Sequence, residues 1–363
     1  MKKIFLLNYA PPSSSIYKYS QRIYECTSEY SEQINLRYSN RSNKWEQTVQ
    51  GRIFESPVKN VLSANILFSS VFFRNARKYI LNSSGKDRVV HYTHQTISPF
   101  KFDLERSVVS IHDNPYTGLK YGVYTSDRQN TIDKMMFRLY SRSIKHNLAR
   151  YMKFKYVITT SDYVRNSLIK YGFRNEITTI YPPVGNQFVP IEGKEKIREE
   201  LKLPRDKRLL LSVSTDQPRK NLKLLEQLMK RLDKSFQLVR VGKPILNSIN
   251  FSNVDQQTIN KIYNACDVLV MPSFEEGFGS PVAEAMTVGL PVACSDIEIF
   301  HELCGKYAFY FDPNSVEDFE RSVTTAVENL DLYKDKMIER SSNFSHLTFC
   351  SRINNYYDQK FFM

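Results

Sequence analysis

The chain has 363 residues, 41% hydrophobic and 25% charged, which at roughly 100–200 residues per domain predicts two globular domains, each with its own core. No stretch reaches the roughly 18 uninterrupted apolar residues of a membrane-spanning helix, so none is expected. The net charge of +13 is uneven: residues 1–184 hold 28 Lys and Arg against 13 Asp and Glu. A basic first half suits nucleic acid, an anionic membrane surface, or simply a solvated face.

Ile4 to Asn8 predicts a first buried strand; the apolar part of the basic start is too short for a signal peptide. The loop from Tyr9 to Ser15 leads into a helix from about Ile16 to Tyr30. Residues 31–60 are polar and irregular, with weak strand character. Val61 to Ile80 and Lys134 to Lys155 read as basic helices with apolar faces. Such helices lie on anionic membranes or pack into their own core. Between them, Arg88 to Tyr92 and Ser107 to Ile111 are short strands. His112 follows the second strand, at the carboxyl end where open α/β sheets bind ligands. His91 and His94 have a spacing that suits a metal but no ligand cluster beside them, so a structural or acceptor-side role is the plainer reading. Tyr156 to Ser161 is another strand, and Ser161 caps a helix that runs to Tyr171 and stops at Gly172. Ile177 to Val184 is a strand closed by Pro182 and Pro183, which puts a domain boundary near Pro182 to Gly185.

The five cysteines (Cys26, Cys266, Cys294, Cys304, Cys350) are odd in number, widely spaced and without a C-x-x-C pair. Neither a disulfide framework nor a zinc site is expected, and a reducing, cytoplasmic setting is.

The second half opens with a charged helix, Lys194 to Leu201, and a strand, Leu209 to Val213. Ser214 to Asn221 follows, then a helix over Leu222 to Leu232. Arg219 and Lys220 stand beside that helix start, where a guanidinium fork and an ammonium point charge suit a diphosphate or, more plainly, a solvated turn. Phe236 to Val241 is a strand, and Phe251 to Val254 precedes a helix at about Gln256 to Ala265. Val268 to Met271 leads into the turn Glu275-Glu276-Gly277-Phe278-Gly279, whose glycines let backbone approach a ligand. Ser280 is a candidate N-cap, Pro281 suits the first helical position, and Gly289 ends the helix. This strand, glycine turn and helix N-terminus form an anion site. Glu276 lies in the turn and Glu284 inside the helix, so the two can flank one ligand. Beyond it, Phe309 to Asp312 is a strand, Val316 to Leu330 a helix, and Ser341 to Phe362 an aromatic-rich helical end.

The run E-G-F-G-x-P-x-x-E-A-M-x-x-G-x-P-V from Glu276 to Val292 resembles the E-x7-E signature of retaining glycosyltransferases of family 4, which have the GT-B fold. The resemblance is strongest from Leu209 to Pro313 and weakest over 31–87. It implies an α/β chain of two Rossmann-like domains facing a cleft: residues 1–184 on the acceptor side, 185–344 holding the nucleotide-sugar, and 345–363 returning to the first domain. It implies that Arg219 and Lys220 hold the donor diphosphate with the amides around Gly277, Phe278, Gly279 and Ser280. Glu276 would bind donor-sugar hydroxyls, Glu284 the ribose, and His112 would face the sugar. Phe251 and Val254 are the candidates for base contact. Ser14 and Ser15 stand where a glycine pair is usual, and Ser214 replaces another glycine.

The reaction so implied is hexose transfer, with mannose favoured, from GDP-mannose or a UDP-sugar to a glycan or lipid-linked acceptor. No metal or other cofactor is expected, nor is nucleic acid. The basic first domain suggests peripheral contact with the anionic cytoplasmic face of the membrane. The alternatives are another GT-B enzyme, a catalytically silent sugar-nucleotide-binding subunit, and a nucleic-acid-binding protein.

Overall fold

Apolar runs rich in Val, Ile and Leu are what a parallel sheet buried on both faces requires, and the chain has two sets of them. A computed structural model describes residues 3–8, 15–38, 51–56, 74–83, 87–95, 104–116, 142, 145–245 and 247–363. These divide into two compact units. One comprises the described residues up to Pro183 together with Leu347–Met363; the other runs over Val184–His346.

The first unit carries β1 (Lys3–Asn8), β2 (Ser31–Tyr38), β3 (Arg52–Ser56), β4 (Arg88–Tyr92), β5 (Ser107–Ile111), β6 (Tyr156–Thr159) and β7 (Glu176–Thr179). They form one parallel sheet in the order β3-β2-β1-β4-β5-β6-β7. Its helices include α1 (Ser15–Thr27), α2 (Arg74–Ser83) and α3 (Asp162–Tyr171). Ser161 caps α3 by accepting from the Val164 N–H, and Gly172 ends it in the left-handed region, as expected. The polar 31–60 stretch holds two full strands, β2 and β3, rather than weak strand character. Ile34 and Leu36 anchor β2 in the core while its other side chains are polar. β7 is shorter than expected, because the Pro182 and Pro183 that follow lack ladder donors.

Most described apolar residues of the basic helices are turned into the core, although Leu81 of α2 and Met152 after the second helix are exposed. Ala76 and Ile80 of α2, and Leu148, Tyr151 and Phe154 in and after the helical residues 145–151, are buried in the unit's core. Residues 61–73 and 134–141 of those two predicted helices lie outside the described residues.

The second unit carries α4 (Lys194–Glu200), β8 (Arg208–Val213), α5 (Leu222–Arg231), β9 (Phe236–Val241), β10 (Ile249–Phe251), α6 (Gln256–Ala265), β11 (Val268–Met271), α7 (Ser280–Val288), β12 (Val292–Ser295), α8 (Glu298–Cys304), β13 (Phe309–Phe311), α9 (Val316–Glu328) and α10 (Lys334–Ser341). Its parallel sheet runs β10-β9-β8-β11-β12-β13. β8 therefore neighbours β9 on one side and β11 on the other, and the winding direction reverses between β8 and β11. Ligands of open α/β sheets bind at such switch points, beyond the carboxyl ends of the strands.

α11 (His346–Tyr357) ends the chain with a π turn at Asp358–Phe362. Phe349, Ile353, Tyr356, Tyr357 and Phe361 pack with Tyr19 and Ile23 of α1 on the first sheet. This packing brings Cys26 and Cys350, 324 residues apart, into a disulfide. The expectation of no disulfide is thereby overturned: odd parity and wide spacing carry no information about two helices that meet on one sheet face. Cys266, Cys294 and Cys304 are buried free thiols. No described helix is long and apolar enough to cross a membrane.

Candidate active site

The loops after β8 and β11 flank the switch point of the second unit, and they carry the charged residues singled out from sequence. Arg219 and Lys220 sit in a 3-10 turn, Pro218–Lys220, ended by Asn221 in the left-handed region. The Phe274 N–H donates to the Arg219 carbonyl at 2.8 Å, and Arg219 Nη1 donates to the Glu275 carbonyl at 2.9 Å, so the two loops are stitched together.

Glu276 is 4% exposed and both of its oxygens are engaged. Arg219 Nη1 lies 2.7 Å from Oε2, Lys220 Nζ 2.6 Å from Oε1, and Ser273 Oγ donates to Oε1 at 2.7 Å. Burial pushes its carboxyl up, but Lys220 and Arg219, with the hydrogen bonds, outweigh that and hold it at about 2. The group is therefore a fixed anion that orients two cations, and its lone pairs are too committed for a strong nucleophile.

Gly277, Phe278 and Gly279, which complete the turn, are buried. Gly279 has φ +87, and a Cβ there would lie 3.0 Å from Phe300. Its left-handed conformation starts α7 one residue earlier than expected. Gly279, not Ser280, is the N-cap, and Ser280 is the exposed first helical residue. The positive end of α7 thus opens beside the loop that holds Glu276.

Glu284, half-buried on α7, accepts from Tyr263 Oη of α6 at 2.5 Å. Burial and then Glu284 hold the Tyr263 phenol well above its ordinary range. Phe251 ends β10, a strand not expected from sequence, and its carbonyl accepts from the Gly242 N–H. Val254 precedes α6, which Asp255 caps.

The family model of the group 1 glycosyl transferases matches residues 193–343. The O-antigen chain mannosyltransferase RfbU of Salmonella typhimurium is 30% identical over 285 residues, covering 73% of this chain and 70% of that protein. The chain belongs to the group 1 glycosyl transferases. Its fold matches solved structures along nearly the whole length. Sucrose-phosphate synthase of Thermosynechococcus elongatus superposes with a TM-score of 0.77 at 16% identity, covering 99% of each chain. HepE of Anabaena in complex with UDP-glucose gives 0.73 at 15% identity, covering 99% of this chain and 100% of that one. The GT-B architecture expected from sequence is therefore that of this glycosyltransferase.

In the first unit of the glycosyltransferase, His112 lies just past β5. Its Nε2 donates to the Thr93 carbonyl at 2.9 Å, which leaves Nδ1 as the unprotonated nitrogen. Tyr19 and His94 flank its ring at centroid distances of 4.5 and 5.0 Å. Burial lowers its proton affinity, opposed by the Thr93 bond and Asp113, so it is neutral near pH 7. His91 is structural: Nδ1 meets Tyr357 Oη at 2.6 Å and Nε2 meets Ser110 Oγ at 2.7 Å. Among the described residues, His91 and His94 belong to no group of three metal-ligating side chains. Ser14 lies outside the described residues and Ser15 opens α1.

Sequence reasoning missed Ser273, Tyr263 and Arg240. Ser273 stands three residues before Glu276, and an Arg inside the apolar strand of β9 is a readable anomaly. Nothing in the composition of α6 singles out Tyr263.

Proposed function

We propose that this glycosyltransferase is a retaining, family 4-type hexosyltransferase that moves mannose or another hexose from a nucleoside diphosphate sugar to a hydroxyl of a glycan or lipid-linked saccharide. The observation that carries the reading is the clamp of Arg219 and Lys220 on Glu276 at the switch point of the second sheet. As the glycosidic bond breaks, the leaving diphosphate gains negative charge. Preorganised cations and main-chain N–H groups near the α7 N-terminus are suited to receive it.

Glu276, held at about 2, stays ionised and keeps both cations aimed. With its oxygens so engaged, front-face departure and attack fits better than a covalent glutamyl intermediate. Glu284 is assigned the ribose hydroxyls, and neutral His112 is assigned the orientation of the sugar. Because two cations already serve the diphosphate, the reading has no role for a divalent metal. The mannosyltransferase relative supports mannose, and the neighbour solved with UDP-glucose supports a nucleotide-sugar of some kind. The same relative supports a role in surface-polysaccharide assembly, and the basic first half supports placing it at the anionic cytoplasmic face of the membrane. Any membrane contact is assigned mainly to surface cations, since most described apolar residues of the basic helices are buried.

The test is turnover of GDP-mannose and UDP-hexoses in the presence of EDTA, with lipid-linked saccharide acceptors. An α-linked product from an α-linked donor, read by NMR, supports the proposal. An inverted product, or loss of turnover on chelation, counts against it.

A further inference from the structure

Arg240 is the penultimate residue of β9, near its carboxyl end, and is completely buried. Among the described residues, its guanidinium hydrogen-bonds to neutral acceptors. Nε donates to the Lys243 carbonyl at 3.1 Å, and Nη2 to the Ser214 carbonyl at 2.8 Å. Nη1 donates to Ser212 Oγ at 2.9 Å, to Ser214 Oγ at 3.1 Å and, more weakly, to the Ser212 carbonyl at 3.5 Å. Asp216, the nearby carboxylate, is paired instead with Lys243 Nζ at 3.3 Å. Burial pulls the guanidinium down to about 10, with Asp216 opposing, so it remains charged at neutral pH.

A cation buried without a bonded carboxylate is costly, and such a cost needs a counterpart. The loops it holds suggest one. Ser214 is the first residue after β8, and its loop continues to Arg219 and Lys220. Lys243 belongs to the loop after β9. The two loops touch: Gly242 has φ +141, and a Cβ there would lie 2.3 Å from the Ser214 carbonyl oxygen. The serine at 214, where the resembled family has a glycine, gives Arg240 a hydroxyl acceptor that glycine cannot.

We propose that Arg240 is a positioning residue for the donor diphosphate. It fixes the start of the phosphate-binding loop through Ser214 and adds a buried positive charge that favours nucleoside diphosphates over monophosphates. This inference rests on the donor-site reading above.

The test is calorimetric titration of a base-matched nucleoside diphosphate and monophosphate into wild type, Arg240→Met and Arg240→Lys, with far-UV circular dichroism to verify folding. Folded Arg240→Met should lose about tenfold or more in diphosphate affinity, with monophosphate affinity changed by less than about threefold. Arg240→Lys, which keeps the charge but not the fork, should retain the diphosphate preference. Equal losses for both nucleotides would make Arg240 merely structural and overturn the inference, as would no loss. If Arg240→Met does not fold, Arg240→Gln, which keeps hydrogen-bond donors without the charge, decides: a lost diphosphate preference in the folded variant supports the inference and a retained preference overturns it. Wild type that binds neither nucleotide would instead remove the donor-site reading, and the inference with it.

Discussion

Lys220 Nζ and Glu276 Oε1 are 2.6 Å apart, both largely buried, on loops that follow two different strands of one sheet. A buried ion pair contributes little net stability, because desolvation offsets attraction. What it supplies here is position: the ammonium can neither swing into solvent nor collapse onto a neighbouring carbonyl. Arg219 is held by the same carboxylate from the other side.

If these cations act on the leaving diphosphate, their effect belongs to the transition state. Arg219→Met and Lys220→Met should each lower kcat by roughly 100- to 1000-fold while KM for the acceptor changes little. Steady-state kinetics with the preferred donor check this. A rise in KM with unchanged kcat would assign them to ground-state binding only.

Acid should remove stability in two overlapping windows, the His91 window beginning at the higher pH. The folded-state pKa of Glu276 is lowered from 4.5 to about 2, so its stabilisation is present above about 4.5 and lost as pH falls toward 2. The amount is on the order of 3 kcal/mol. His91 is lowered from 6.5 to about 3, chiefly by burial and then by His112. The unfolded chain therefore takes up the proton first, and stability falls as pH drops from 6.5 toward 3. Urea midpoints of wild type, Glu276→Gln and His91→Phe against pH should show each variant flattened in its own window.

The parallel sheets, most of the strands and the Arg219–Lys220–Glu276 site were legible because each rests on local signals. Apolar runs such as Leu209 to Val213, the glycine turn before α7 and paired cations before α5 all lie within a few residues of their consequences. What was not legible depends on distant packing. Tyr263 reaches Glu284 because α6 lies beside α7, and Cys26 meets Cys350 because α1 and α11 share one sheet face. β2 and the edge strand β3 are hard to read from sequence because polar residues break their apolar pattern.

The disulfide makes a countable prediction. Denatured without reductant, the protein should show three reactive thiols of its five cysteines, and five after reduction. Cys26→Ser should lower stability by about 2–5 kcal/mol. Five thiols without reductant would show that α1 and α11 are held by packing alone.

Tyr263→Phe removes a hydrogen bond to Glu284 without opening a cavity. The loss of orientation should be worth about 0.5–1.5 kcal/mol, seen as a several-fold rise in donor KM with kcat nearly unchanged. An unchanged donor KM would separate Glu284 from donor binding.

In this reading the second unit binds a nucleoside diphosphate donor, with Arg219, Lys220 and Glu276 at the diphosphate and Glu284 at the ribose. The most direct test is a thermal-shift panel of nucleoside diphosphates and nucleotide-sugars, without metal, on wild type and Glu284→Ala. A ligand at 100 times its Kd should stabilise the protein by about 2.7 kcal/mol. The account predicts a shift for one base family that shrinks in the variant. No shift with any nucleotide in folded wild type would contradict it.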